Sequence, residues 1–141
     1  VSGVAVVITL IFLVVGINKN TEIARATAYD SQIDSLNEIR KSLIQDPDLM
    51  LAWQAYRQGT IEDLNELDRI RLEYQVNILW ASYEKAFYAF NYGIIGAPEW
   101  TRFERLICDN VGRLKASGLD EAVRPQLTAK FLGYVEDVCV E

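Results

Sequence analysis

The sequence predicts an all-α protein, an N-terminal transmembrane helix continuing into a soluble helical bundle of about four to five helices. Three observations predict it. Val1–Ile17 carries no charged residue. Beyond it, apolar residues recur at three- and four-residue steps, the period of one helix face. Glycine and proline number eight and three, and neither occurs between Ile17 and Pro47, so long helices are expected. No stretch alternates as a strand does.

The first element is the span, residues 1–17. As a helix it covers about 25 Å, a little short of a ~30 Å hydrocarbon core. The chain does not open on Met, and a few residues ahead of Val1 would complete the crossing. A cleaved signal peptide is the competing reading, since Ala24-Arg25-Ala26 and Ala26-Thr27-Ala28 have the small-x-small form of a cleavage site. Both lie well past the apolar run, and the anchor is the reading kept. Residues 18–45 continue the same helix: Ile23, Ala26, Tyr29, Ile33, Leu36, Ile39 and Leu43 form one face, opposed by Asp30, Gln32, Asp34, Asn37, Arg40 and Lys41.

Residues 46–141 supply the domain packed on it. Asp46-Pro47-Asp48 is a helix start, with an acceptor at the N-cap, Pro at the first helical position and an acid at the positive dipole end. That helix stops at Gly59. Thr60-Ile61-Glu62-Asp63 resembles a capping box. The helix from about Asn65 to Tyr92 is apolar over more than half its circumference. Leu72, Val76, Leu79, Tyr83, Phe87 and Phe90 form one stripe, and Ile70, Tyr74, Ile78 and Ala81 lie beside it. It is expected at the centre of the bundle, with its aromatics (Trp80, Tyr83, Phe87, Tyr88, Phe90, Tyr92) in the core. Gly93 to Gly96 breaks it. Ala97-Pro98-Glu99 opens the next helix, which buries Trp100, Phe103, Leu106, Ile107, Val111 and Leu114 and ends at Ser117-Gly118. After a short turn at Asp120, a last helix runs from about Pro125 to Val140.

Composition narrows function. The 14 basic and 20 acidic residues leave a net charge of −6, the wrong sign for nonspecific nucleic-acid binding or a polybasic clamp on anionic lipid. The chain has no His, hence no His base, metal ligand or pH switch. Glu62/Asp63 and Glu136/Asp137 point about 100° apart on a helix and Glu66/Asp68 about 160°, and all three read as solvated faces. No phosphate-cradling, nucleophile-elbow or calcium-loop motif is present. Catalytic, cofactor and metal residues are therefore all expected to be none, and the protein no enzyme. Cys108 and Cys139 are either two buried small hydrophobes or a pair bridging two helices, with a reactive thiol as a third reading.

Two sets of contact residues remain. Ser2, Ala5, Thr9 and Gly16 are small and share one side of the span, a possible packing face against another membrane subunit. Trp53, Trp100, Arg102 and Arg105 are candidates for a partner or anion contact. For the two arginines the alternative is surface ion pairing with Glu99 and Glu104.

The order and spacing of several stretches resemble a widespread set of uncharacterised bacterial single-pass membrane proteins. The matching stretches are the opening through Ile17-Asn18-Lys19-Asn20-Thr21, Asp46-Pro47-Asp48-Leu49 with Trp53, Leu67-Asp68-Arg69, Tyr83-Glu84-Lys85-Ala86-Phe87-Tyr88, Gly93, Trp100, and Phe131 with Tyr134-Val135-Glu136. The exit is less basic here, with Lys19 where that set carries Arg flanked by Gln. The resemblance implies one anchor in a bacterial inner membrane and one helical domain, and carries over no active site. Lys19 and Arg25 beside the span place the domain on the cytoplasmic side, where unpaired cysteines are expected.

The function expected is a non-enzymatic accessory or scaffold subunit that contacts membrane lipid and packs on other membrane protein subunits. In a bioenergetic or light-harvesting assembly that role would be structural. The alternative is a membrane-tethered module that binds a peptide or lipid, which an exposed Trp53 or Trp100 would favour.

Overall fold

The computed structural model describes the backbone of residues 2–139 and the side chains of residues 3–139. It is all-helical, with no strand among the described residues. Six α-helices follow in order: α1 Ser2–Gln45, α2 Pro47–Gln58, α3 Glu66–Asn91, α4 Ala97–Ala116, α5 Asp120–Val123 and α6 Ala129–Val138. Single 3-10 turns at Ile61–Asp63 and Arg124–Gln126 join α2 to α3 and follow α5.

The 44 residues of α1 form one continuous helix, about 66 Å long. Its N-terminal part is long and apolar enough to cross a membrane, as an anchor or a retained signal segment alike, and is not buried against the rest of the chain. The amphipathic face expected from Ile23 begins later. Ile23 is exposed, and burial starts with Gln32, Leu36, Ile39 and Leu43. Gln32 belongs to that buried row, although its chemistry placed it on the polar face; its Oε1 has no hydrogen-bond partner.

Local signals set most helix ends. Asp46 Oδ1 accepts from the N–H groups of Asp48 and Leu49, both at 3.1 Å. Gly59 ends α2 at φ 73°, a backbone conformation open to glycine at little cost. Asp46→Ala is expected to cost about 1 kcal/mol, read as a lowered urea midpoint at unchanged slope. The Thr60 capping box is not formed, since Thr60 makes no side-chain cap bond. Asn65 caps α3 instead, its Oδ1 accepting from Asp68 N at 2.9 Å. The last helix starts at Ala129 rather than Pro125. Pro125 sits in the 3-10 turn, and Thr128 is the N-cap. Val140, the expected end, lies outside the described residues, as does Val1.

α3 is central, as its apolar girth predicts. It packs against α1, α2, α4 and α5, and Leu72, Val76, Leu79, Trp80, Tyr83 and Phe87 are all buried. Gln75 ties it to α1, donating to Ser42 Oγ at 3.0 Å and to the Ile39 carbonyl at 3.3 Å. α6 closes over the aromatic end of α3, with Phe131 against Phe87 and Trp80 at ring-centroid distances of 5.4 and 6.4 Å. Cys108 on α4 and Cys139 after α6 form a disulfide, with Cα atoms 5.1 Å apart. The cysteines are therefore neither two separate buried hydrophobes nor a reactive thiol.

Candidate functional site

The small-residue face lies on a part of α1 that nothing else in the chain covers. Ala5, Thr9 and Gly16 fall within about 40° of one another around the helix at 100° per residue. The Ser2 side chain lies outside the described residues. Thr9 Oγ1 donates to the Ala5 carbonyl at 2.9 Å, so its hydroxyl is satisfied within its own helix. A Cβ placed on Gly16 would meet nothing within 4 Å. Thr9 and Leu36 are 27 residues apart, about seven and a half turns. Thr9 is therefore opposite Leu36 around the helix, whereas Asn20, about 20° from Thr9, faces the turn after α3 and lines a groove with Gly93 and Ile94.

The second candidate set is not one site. Trp53 is half-buried on α2, packed on Tyr56 at 5.3 Å and beside Arg113. Trp100 stands 13 residues before Arg113 on α4, about 20 Å along the helix. It is a core residue rather than a partner contact, 4% exposed and stacked on Phe90 at 5.2 Å. Its Nε1 donates to Tyr134 OH at 3.0 Å and Glu104 Oε2 at 3.2 Å. Tyr134 also donates to Glu104. Partial burial and then this carboxylate acceptor push the Tyr134 hydroxyl up to about 12. Arg102 and Arg105 are exposed on α4. Arg102 Nη1 donates to Tyr29 OH at 3.1 Å, bracing α4 on α1. Neither arginine pairs with Glu99 or Glu104 among the described residues, and Glu104 is engaged by Trp100 and Tyr134.

A cleft between α4, α5 and α6 has Trp80, Leu114, Leu127, Val135 and Cys139 in its lining. Arg124 at its mouth is held by Glu136 and Asp120, so its charge is already compensated. Among the described residues no three acidic or thiol side chains converge to hold a metal ion.

Comparison with protein-family models, curated proteins and solved structures finds no match. What the chain exposes must therefore carry the reading. Leu67, Ile70, Tyr74 and Ile78 on α3 are 58, 45, 69 and 52% exposed. At steps of three and four they form one apolar stripe. Ile70, Tyr74 and Ile78 were expected beside the core stripe, and Leu67 extends their row. The helices packed on α3 leave this side of it uncovered. The signal for the stripe was the apolar girth of α3 itself, which exceeds what one helix can bury. Gln75 contacts Ile39, 22 residues beyond Ile17. The stripe therefore lies about 33 Å along α1 from the end of the apolar run.

Proposed function

We propose that this chain is a non-enzymatic, single-pass accessory subunit of a larger membrane protein complex. α1 spans the bilayer and packs its Ala5, Thr9 and Gly16 face on a partner's membrane helix. The α3 stripe is covered by the partner's extramembrane part. The observation that carries this reading is the stripe. Four large apolar side chains in a row, each at least 45% exposed, are a recognised mark of an interaction surface. At its height along α1, protein rather than lipid is the covering material. The alternative of a peptide- or lipid-binding module loses Trp100, which is buried, and the Arg124 cleft, whose charge is taken.

The resemblance to bacterial single-pass membrane proteins supports a bacterial inner membrane as the location. The paired cysteines favour the oxidising, extracytoplasmic side for the domain, against the cytoplasmic side expected from Lys19 and Arg25, because disulfides persist in oxidising compartments.

Purification from native membranes in mild detergent tests the subunit reading. The wild-type chain is expected to migrate with a larger membrane protein. Tyr74→Asp combined with Ile78→Asp is expected to release it, a loss of tenfold or more in association. The variant's own unfolding should stay within about 0.5 kcal/mol per site, as for exposed positions. A wild-type chain that runs only as a free monomer would sink the proposal.

A further inference from the structure

The geometry points to a second membrane contact: the turn after α3, with Tyr92 and Ile94 at its tip, rests in the headgroup–acyl boundary of the lipid leaflet on the domain's side. This rests on α1 being the span. Three observations support it. First, height. Gly93 and Ile94 line one shallow groove together with Ile17, Asn20, Thr21, Ala24 and Arg25 of α1, a stretch that starts at the end of the apolar run and reaches the charged residues beyond it, as the headgroup layer requires. Ile17 ends the uncharged run and Lys19 is the first charge, so the turn stands where α1 leaves the apolar core. Second, chemistry. Between Lys85 and Glu99 the chain carries no charged residue. Tyr92 is 73% exposed and Ile94 43%, both large and apolar in body, while Ile95 between the turn and the core is 2% exposed and pins it. Tyrosine is the side chain that favours this depth, ring in the boundary and hydroxyl in water.

Third, the backbone. A loop that enters a water-poor layer must satisfy its own N–H groups. This one does. Tyr92 N donates to the Tyr88 carbonyl at 3.0 Å and Gly93 N to Phe90 at 2.9 Å. Ile94 N and Ile95 N donate to the Ala89 carbonyl at 2.8 and 3.3 Å. Gly93, at φ 67°, makes that closed turn accessible. The apolar side chains at the tip thus face outward from a backbone that needs no water for these donors. Two contacts with one leaflet, α1 and the turn, would fix the tilt of the domain, where α1 alone leaves it free to lean.

Spin-label depth measurement on the full chain in phosphatidylcholine liposomes tests this. The native cysteines are held in the disulfide, so Ile94→Cys, Tyr92→Cys, Tyr74→Cys and Ile11→Cys variants each offer one thiol to the label. The expected result is a severalfold higher ratio of oxygen to nickel-chelate accessibility at positions 94 and 92 than at 74, with position 11 deeper still. Tyr92 is exposed enough for its variant to fold even if Ile94→Cys does not. If 11 reads deep while 92 and 94 match 74, the turn stands in water and the inference fails while the anchor survives. If 11 itself reads aqueous, the anchor reading fails and takes the turn with it.

Discussion

Reducing the Cys108–Cys139 disulfide is expected to lower the stability of the domain by about 3–4 kcal/mol. The bond closes a loop of sequence separation 31, and the loop entropy returned to the unfolded chain on reduction sets that size. The structural loss falls on α6. Its 10 residues are too few to persist alone. It is held by the burial of Phe131 and Val135, by Thr128 donating its N–H and hydroxyl to Glu84 at 2.7 and 2.6 Å, and by the disulfide at its far end. Without the bond the α6 terminus frays first, and Phe131 loosens from Phe87 and Trp80. Thermal unfolding in mild detergent, with and without a phosphine reductant, should show a fall of more than about 12 °C for a domain of this size. Cys108→Ser with Cys139→Ser should reproduce it. The same pair reports the side of the membrane. Cells lysed with thiols blocked should yield a Cys108–Cys139 linked peptide. Two blocked free thiols would put the domain in a reducing compartment and remove the argument for the extracytoplasmic side.

What the sequence made legible is what neighbours in the chain decide. Asp46, Pro47 and Asp48 start α2 because an acceptor, a fixed φ and an acid act within one turn. Gly59 and Gly93 end helices at φ 73° and 67° for equally local reasons. The unbroken helical period from the apolar run to Leu43 made the long α1 legible for the same reason. Where two local solutions compete, the reading failed. Thr60 and Asn65 both fit an N-cap, and the 3-10 turn at Ile61–Asp63 hands that role to Asn65, whose ψ of 162° is extended while that of Thr60 is 36°. Trp100 was read both as part of the buried face of α4 and as a contact candidate; it is buried, and its hydrogen-bond partner Tyr134, 34 residues on, could not be read from local sequence. The α3 stripe was misplaced for the converse reason. Ile70, Tyr74 and Ile78 are as apolar as core residues, and only the positions of the other helices say which side of α3 they leave open. The disulfide has no sequence signature at all, because its spacing becomes short only once α4 and α6 are side by side.

Trp80→Ala is expected to be the most damaging single change in the core, at about 3–5 kcal/mol. The indole is 1% exposed and bridges two layers. It meets Tyr83 edge-on at 5.7 Å within α3 and Phe131 of α6 at 6.4 Å. Truncation opens a cavity under α6 that a ten-residue helix cannot collapse into without giving up Phe131. Beside it sits a polar defect. The Trp80 indole N–H and the Tyr56 hydroxyl face each other, yet both are buried without a partner at hydrogen-bond geometry. Burial pushes the Tyr56 hydroxyl up to about 12, against a smaller downward pull from Arg113. An unsatisfied buried hydroxyl costs about 1–3 kcal/mol in lost hydration. Tyr56→Phe keeps the ring and removes that cost. The two substitutions should therefore separate in sign. Trp80→Ala lowers the unfolding midpoint steeply, whereas Tyr56→Phe leaves it unchanged or raises it. A Tyr56→Phe variant destabilised by 1 kcal/mol or more would show that the hydroxyl has a partner in solution, an ordered water being the first to look for. The stability of this domain would then rest on a hydrated core between α2 and α3 rather than a dry one.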